Sequence, residues 1–162
     1  MQVFSNMRRN SSNPNYLKIF LVALCLVLLQ IFSNLFQFFP TFVGVFFAYI
    51  IINIENEEDF IYVFFSFLYL TYYELNKGFF VFSYILLFII FYNLFYQKIE
   101  NSFKCKNCKL FIYISVAYIG CFFLNAFGSY VLKLEFPSFS YEYFYYIAFD
   151  FIVSIIFFRT KI

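Results

Sequence analysis

Apolar residues gather into six stretches, at 17–36, 41–54, 60–73, 79–96, 110–132 and 143–158, separated by short breaks that carry charge, amide, proline or glycine. A helix crossing a bilayer needs about 20 apolar residues. The fourth and fifth stretches reach that length unaided, whereas the second, third and sixth are short. The second and third alternatively form a re-entrant hairpin around the acidic turn at 53–59. The pattern predicts an all-α, polytopic membrane helix bundle with six transmembrane helices. It forms one domain, 17–162, behind an N-terminal tail, 1–16.

Composition strengthens this reading. The chain is 64% hydrophobic and 12% charged, where a soluble domain carries about a quarter charged residues. With six spans and the N-terminus inside, Arg8, Arg9, Lys18, Lys98, Lys104, Lys106, Lys109, Arg159 and Lys161 face the cytoplasm, and only Lys77 and Lys133 face outward. That is the positive-inside bias, and with six spans it favours both termini in the cytoplasm. The net charge of +2 gives no argument for nucleic acid. The basic loop at 98–109 is instead a patch for anionic lipid headgroups. No small-x-small cleavage site follows the first stretch, so it reads as an uncleaved span. Tyr69, Tyr72, Tyr73, Tyr141, Tyr143, Tyr145 and Tyr146 all fall near the outer interface and read as an aromatic belt.

Histidine is absent. This removes Ser-His and Cys-His pairs and histidine-ligated metals, and no other catalytic constellation stands out. Cys105-Lys106-Asn107-Cys108 offers two of the four ligands zinc needs; reduced thiols in a basic loop are the preferred reading. Asp150 lies in the middle of the sixth stretch, where a carboxylate costs about 2.5–3.5 kcal/mol on insertion scales. It should therefore face the bundle interior, protonated or bonded to Asn125, Asn93 or Gln30, as glue between helices or as a proton or cation site. Glu74 and Lys77 have the spacing of a local ion pair. Gly78 suits a left-handed helix cap.

The stretch Tyr72-Tyr73-Glu74-Leu75-Asn76-Lys77-Gly78-Phe79-Phe80, with Tyr92 near the end of the helix that follows, resembles the MreD family of bacterial rod-shape proteins. The family has an acidic residue, three positions, a glycine and then such a helix. Glu74 stands for its usual aspartate, and Phe82 occupies the place of a common second glycine. The opening helix with Gln30 near its end, Pro40 before the second stretch and the basic end around Arg159 fit the same pattern. The resemblance implies a scaffold rather than an enzyme, without cofactors. Implied partners are an MreC-like protein, a RodA-like glycosyltransferase with its penicillin-binding transpeptidase, and an MreB-like actin. Glu74, Asn76, Lys77 and Gly78 would then form an outward-facing turn that meets those partners. The family's fold is similar to the substrate-binding subunits of energy-coupling-factor transporters, so a small-molecule transporter subunit is one alternative. A proton or ion carrier using Asp150 is another.

Overall fold

In the computed structural model, residues 14–36, 39–54, 60–134, 136 and 141–158 are described, and they contain helices and no strand. The helices coincide with the apolar stretches: α1 (Pro14–Leu35), α2 (Val43–Asn53), α3 (Phe60–Lys77), α4, α5 (Lys106–Leu132) and α6 (Glu142–Phe158). Helix α4 runs from Ser83–Phe91 through a π-helical turn, Tyr92–Tyr96, into Gln97–Ser102. At that turn the Asn93 amide donates to the Ile89 carbonyl at 2.9 Å, competing with the backbone for it. Residues 1–13 of the tail, 55–59 of the acidic turn and 159–162 lie outside the described residues.

Helix α2 is the centre of the fold. Its sequence, VGVFFAYIIIN, is apolar all round, the pattern of a helix surrounded by protein or lipid on every side. Val43, Phe47, Ala48 and Ile50 are fully buried. Helices α3, α5 and α6 pack directly on α2. Helix α4 reaches it through Phe47, whose ring lies 6.4 Å from Tyr84 and 6.3 Å from Phe91. Helix α1 lies against α3 at the periphery. With 11 residues α2 rises only about 16 Å, roughly half of a bilayer's hydrocarbon thickness. Its first turn, Val43 and Gly44, is buried, which makes the unpaired backbone N–H groups at that end a structural problem.

Among the described residues, α5 is long and apolar enough to cross a membrane by length and composition. Large apolar side chains also cover the outer faces of other helices, among them Phe20, Leu24, Leu68, Leu86 and Ile156. The tyrosines expected to form a belt do not all face outward. Tyr72, Tyr141 and Tyr145 are exposed, but Tyr69, Tyr73 and Tyr146 are buried. In a helix, neighbouring residues point about 100° apart, so a cluster of tyrosines near one end cannot all face outward.

Two helices close in the same way. At the end of α3 the Phe79 N–H reaches back to the Glu74 carbonyl at 3.0 Å and the Gly78 N–H to the Leu75 carbonyl at 3.4 Å. This is a Schellman motif with Gly78 at φ +69° in the left-handed position. Lys133 takes the same place after α5, at φ 55°. A side chain on Gly78 would meet no atom within 4 Å, so only backbone strain opposes substitution there. Gly78→Asn should then be nearly neutral, while Gly78→Val should lower stability by about 1–2 kcal/mol, read as the unfolding midpoint in detergent. Equal effects of the two substitutions would contradict this.

Candidate functional site

Two buried carboxylates define the polar interior, and each sits at the start of a helix that lacks its own cap. Helix α2 begins after Phe42, which is in the left-handed region at φ 53° and makes no side-chain capping bond. The missing acceptor comes from α6. Asp150 Oδ2 accepts the Gly44 N–H at 2.8 Å and the Tyr118 hydroxyl at 2.7 Å. Since Tyr118 donates its proton to the carboxylate, Thr41 Oγ1, 2.9 Å away, is the donor to the Tyr118 oxygen. Tyr69 OH in turn donates to the Thr41 carbonyl at 2.5 Å. One carboxylate thus ties α2, α5 and α6 together, and Thr41 extends the network to α3. Negative charge at a helix N-terminus is also favoured by the helix dipole.

Gly44 makes this approach possible. A Cβ there would lie 2.6 Å from Ile114 Cγ2, 3.0 Å from Asp150 Oδ2 and 3.1 Å from Tyr118 Cε2. Only a residue without a side chain lets α5 and α6 come this close to α2.

The second carboxylate repeats the arrangement. Helix α4 begins after Phe82, again left-handed at φ 71° and again without a side-chain cap. Glu74, near the end of α3, supplies both oxygens: Oε2 accepts the Phe82 N–H at 2.7 Å and Oε1 the Tyr84 N–H at 2.6 Å. Beside it, Asn125 Oδ1 accepts the Phe80 N–H at 2.8 Å, while its amide donates to the Cys121 carbonyl at 2.8 Å. The segment between α3 and α4 is thereby anchored to both α3 and α5.

These positions correct several expectations. Glu74 is fully buried and bonded to backbone, so it is neither the outward-facing partner contact nor the local ion-pair partner of Lys77 that its spacing suggested. The orphan N–H groups of a buried helix start attract the carboxylate more strongly than an exposed ammonium does. Asn76, Lys77 and Gly78 do lie exposed. Asp150 faces the interior as expected, but its partners are Gly44 and Tyr118 rather than Asn125, Asn93 or Gln30. Asn125 serves the other carboxylate's turn, and Asn93 is exposed on α4. Gln30 is fully buried, and neither of its amide atoms has a hydrogen-bond partner among the described residues. Asp150 Oδ1, Ser33 Oγ and Ser154 Oγ are likewise buried without one.

Cys105 and Cys108 are joined as a disulfide rather than held as reduced thiols or a metal half-site. No group of three or more metal-ligating acidic or cysteine side chains occurs among the described residues. Thr41, Gly44, Tyr69 and Tyr118 were not apparent in the sequence as a polar network. The available signal was indirect: two apolar helices begin after phenylalanine with no Ser, Thr, Asp or Asn as cap, so their acceptors have to come from elsewhere in the chain.

Comparisons of the chain with protein-family models, curated proteins and solved structures find no match.

Proposed function

We propose that this chain is a multi-pass inner-membrane scaffold of the bacterial cell-elongation machinery, with six spans and both termini in the cytoplasm. Its two carboxylates hold helices in place and take no part in a reaction. The observation that carries the structural half is the polarity of the fold. Glu74 and Asp150 are fully buried against backbone N–H groups while large apolar side chains lie on the outside. In hydrocarbon, every buried backbone donor has to be satisfied within the protein, and a short internal helix start can achieve this with a carboxylate from a neighbouring helix. The scaffold half rests on the MreD-like sequence around Glu74, Gly78 and Tyr92. By the same resemblance its partners are an MreC-like protein, the RodA-like synthase with its transpeptidase, and an MreB-like actin. The exposed Asn76 and Lys77 are the part of the predicted turn left free to meet them.

Depletion should round or widen rod-like or helical cells, and a tagged protein should recover the peptidoglycan synthases. Paired Asn76→Ala and Lys77→Ala substitutions should reduce that recovery at unchanged protein level. Normal cell shape after full depletion would overturn the scaffold assignment. One observation favours a second reading, a proton or cation carrier: the unpartnered Asp150 Oδ1 and Ser154 Oγ lie one turn apart on α6. A pH-dependent flux into liposomes that Asp150→Asn abolishes would establish it. The transporter-subunit alternative gains less, since the groove of about 470 Å³ between α1, α2, α3 and α6 is lined chiefly by apolar side chains.

A further inference from the structure

The turn between α4 and α5 carries a chemistry that a scaffold does not require. Cys105 is the N-cap of α5, a helix of 27 residues, and its sulfur accepts the Cys108 N–H at 3.3 Å. The disulfide to Cys108 closes across that first turn, with the two Cα atoms 5.2 Å apart. Both cysteines are exposed, as are Lys104 and Lys106 on either side of Cys105. On the proposed topology this loop faces the cytoplasm, where stable structural disulfides are rare and those that do form are chiefly transient, catalytic or redox-sensing. Other contacts also fasten the turn. Lys109, directly after Cys108, is paired with Glu100 on α4, and Tyr113 OH also reaches Glu100, at 3.4 Å.

We infer that Cys105 and Cys108 form a redox-active pair that exchanges with low-molecular-weight thiols and disulfides, Cys105 being the attacking sulfur. Once the pair is reduced, the Cys105 thiolate is stabilised by the Cys108 N–H that its sulfur already accepts, by the positive end of the α5 dipole and by the ammonium groups of Lys104 and Lys106 next to it in the chain. It attacks one sulfur of an external disulfide, forming a mixed disulfide and expelling one thiol. Cys108, deprotonated, then attacks the Cys105 sulfur, which closes the internal bond and releases the second thiol. Two electrons and two protons pass from the protein to the external disulfide, and excess thiol drives the same steps backward. The direction of this chemistry rests on the cytoplasmic placement of the loop, but its occurrence does not.

The test uses the full chain in permeabilised membranes, equilibrated in glutathione mixtures from fully oxidising to fully reducing, then acid-trapped, alkylated and mapped by mass spectrometry. Cys105 and Cys108 should change together between both blocked and both free at an intermediate mixture, reached from either direction. In the reduced protein, Cys105 should alkylate about tenfold faster than Cys108 near neutral pH. Cys108→Ser should accumulate a glutathione adduct on Cys105, and Cys105→Ser should not accumulate one on Cys108. A pair that stays closed at the reducing end, stays open at the oxidising end or reacts first at Cys108 would overturn the assignment. The side of the membrane is read separately. After reduction in intact spheroplasts, an impermeant maleimide should fail to reach Cys105, and labelling there would refute the topology without touching the exchange result.

Discussion

Glu74→Ala is expected to cost about 2–5 kcal/mol, enough to deplete the protein from the membrane. The substitution leaves the half-buried Phe82 N–H and the buried Tyr84 N–H without acceptors at the start of α4. Each such orphan costs about 1–3 kcal/mol, and total stabilities of folded proteins are about 5–15 kcal/mol. Part of the loss is offset because a buried carboxylate no longer has to be desolvated. The unfolding midpoint in detergent and the steady-state level in membranes both report on this. A surface contact residue would behave differently, lowering partner recovery at unchanged stability, and that outcome would return Glu74 to the outward-facing role.

Replacing Gly44 should be equally damaging, and the sign is informative. In an ordinary helix interior Gly→Ala stabilises by about 1 kcal/mol. Here the new methyl would stand 2.6 Å from Ile114 Cγ2 and 3.0 Å from Asp150 Oδ2, so α2 must move away from α5 and α6 and stretch the Asp150 cap. Overpacking of this kind costs about 1–3 kcal/mol, and weakening the Gly44 hydrogen bond adds about 1 kcal/mol. Gly44→Ala should therefore destabilise by about 2–4 kcal/mol. In an Ile114→Ala background the same substitution should cost less, because the nearest obstacle is gone, and a double-mutant cycle on the unfolding midpoint measures the difference. Full additivity would place the constraint on Gly44 elsewhere.

The helices themselves were legible in the sequence because each is a run of apolar residues long enough to be seen without knowledge of its neighbours. Their ends were also partly legible: Gly78 marks the close of α3 by a rule of local backbone geometry. The caps of α2 and α4 were not. Asp150 lies 106 residues from Gly44, and Tyr118 lies 77 from Thr41, and nothing in a helical period predicts which distant carboxylate meets which helix start. Glu74 was misplaced for a related reason. Its i, i+3 spacing from Lys77 and the polar residues around it suit a solvated turn, and only the arrival of α4 over the end of α3 makes it interior. Cys105 and Cys108 were visible as a motif, but their pairing depended on the turn at the start of α5.

Glu74→Gln and Asp150→Asn, compared side by side, test the capping account most directly. Asp150 uses a single oxygen for both of its donors, so an asparagine carbonyl can take over the work. Glu74 uses both oxygens, so a glutamine must turn its NH₂ toward one backbone N–H and leave that donor unpaired. The unfolding midpoint in detergent should therefore fall clearly in Glu74→Gln, by an amount on the order of 2 kcal/mol, and stay near wild type in Asp150→Asn. A stable Glu74→Gln beside an unstable Asp150→Asn, or two silent substitutions, would contradict the claim that these carboxylates exist to cap the starts of α2 and α4.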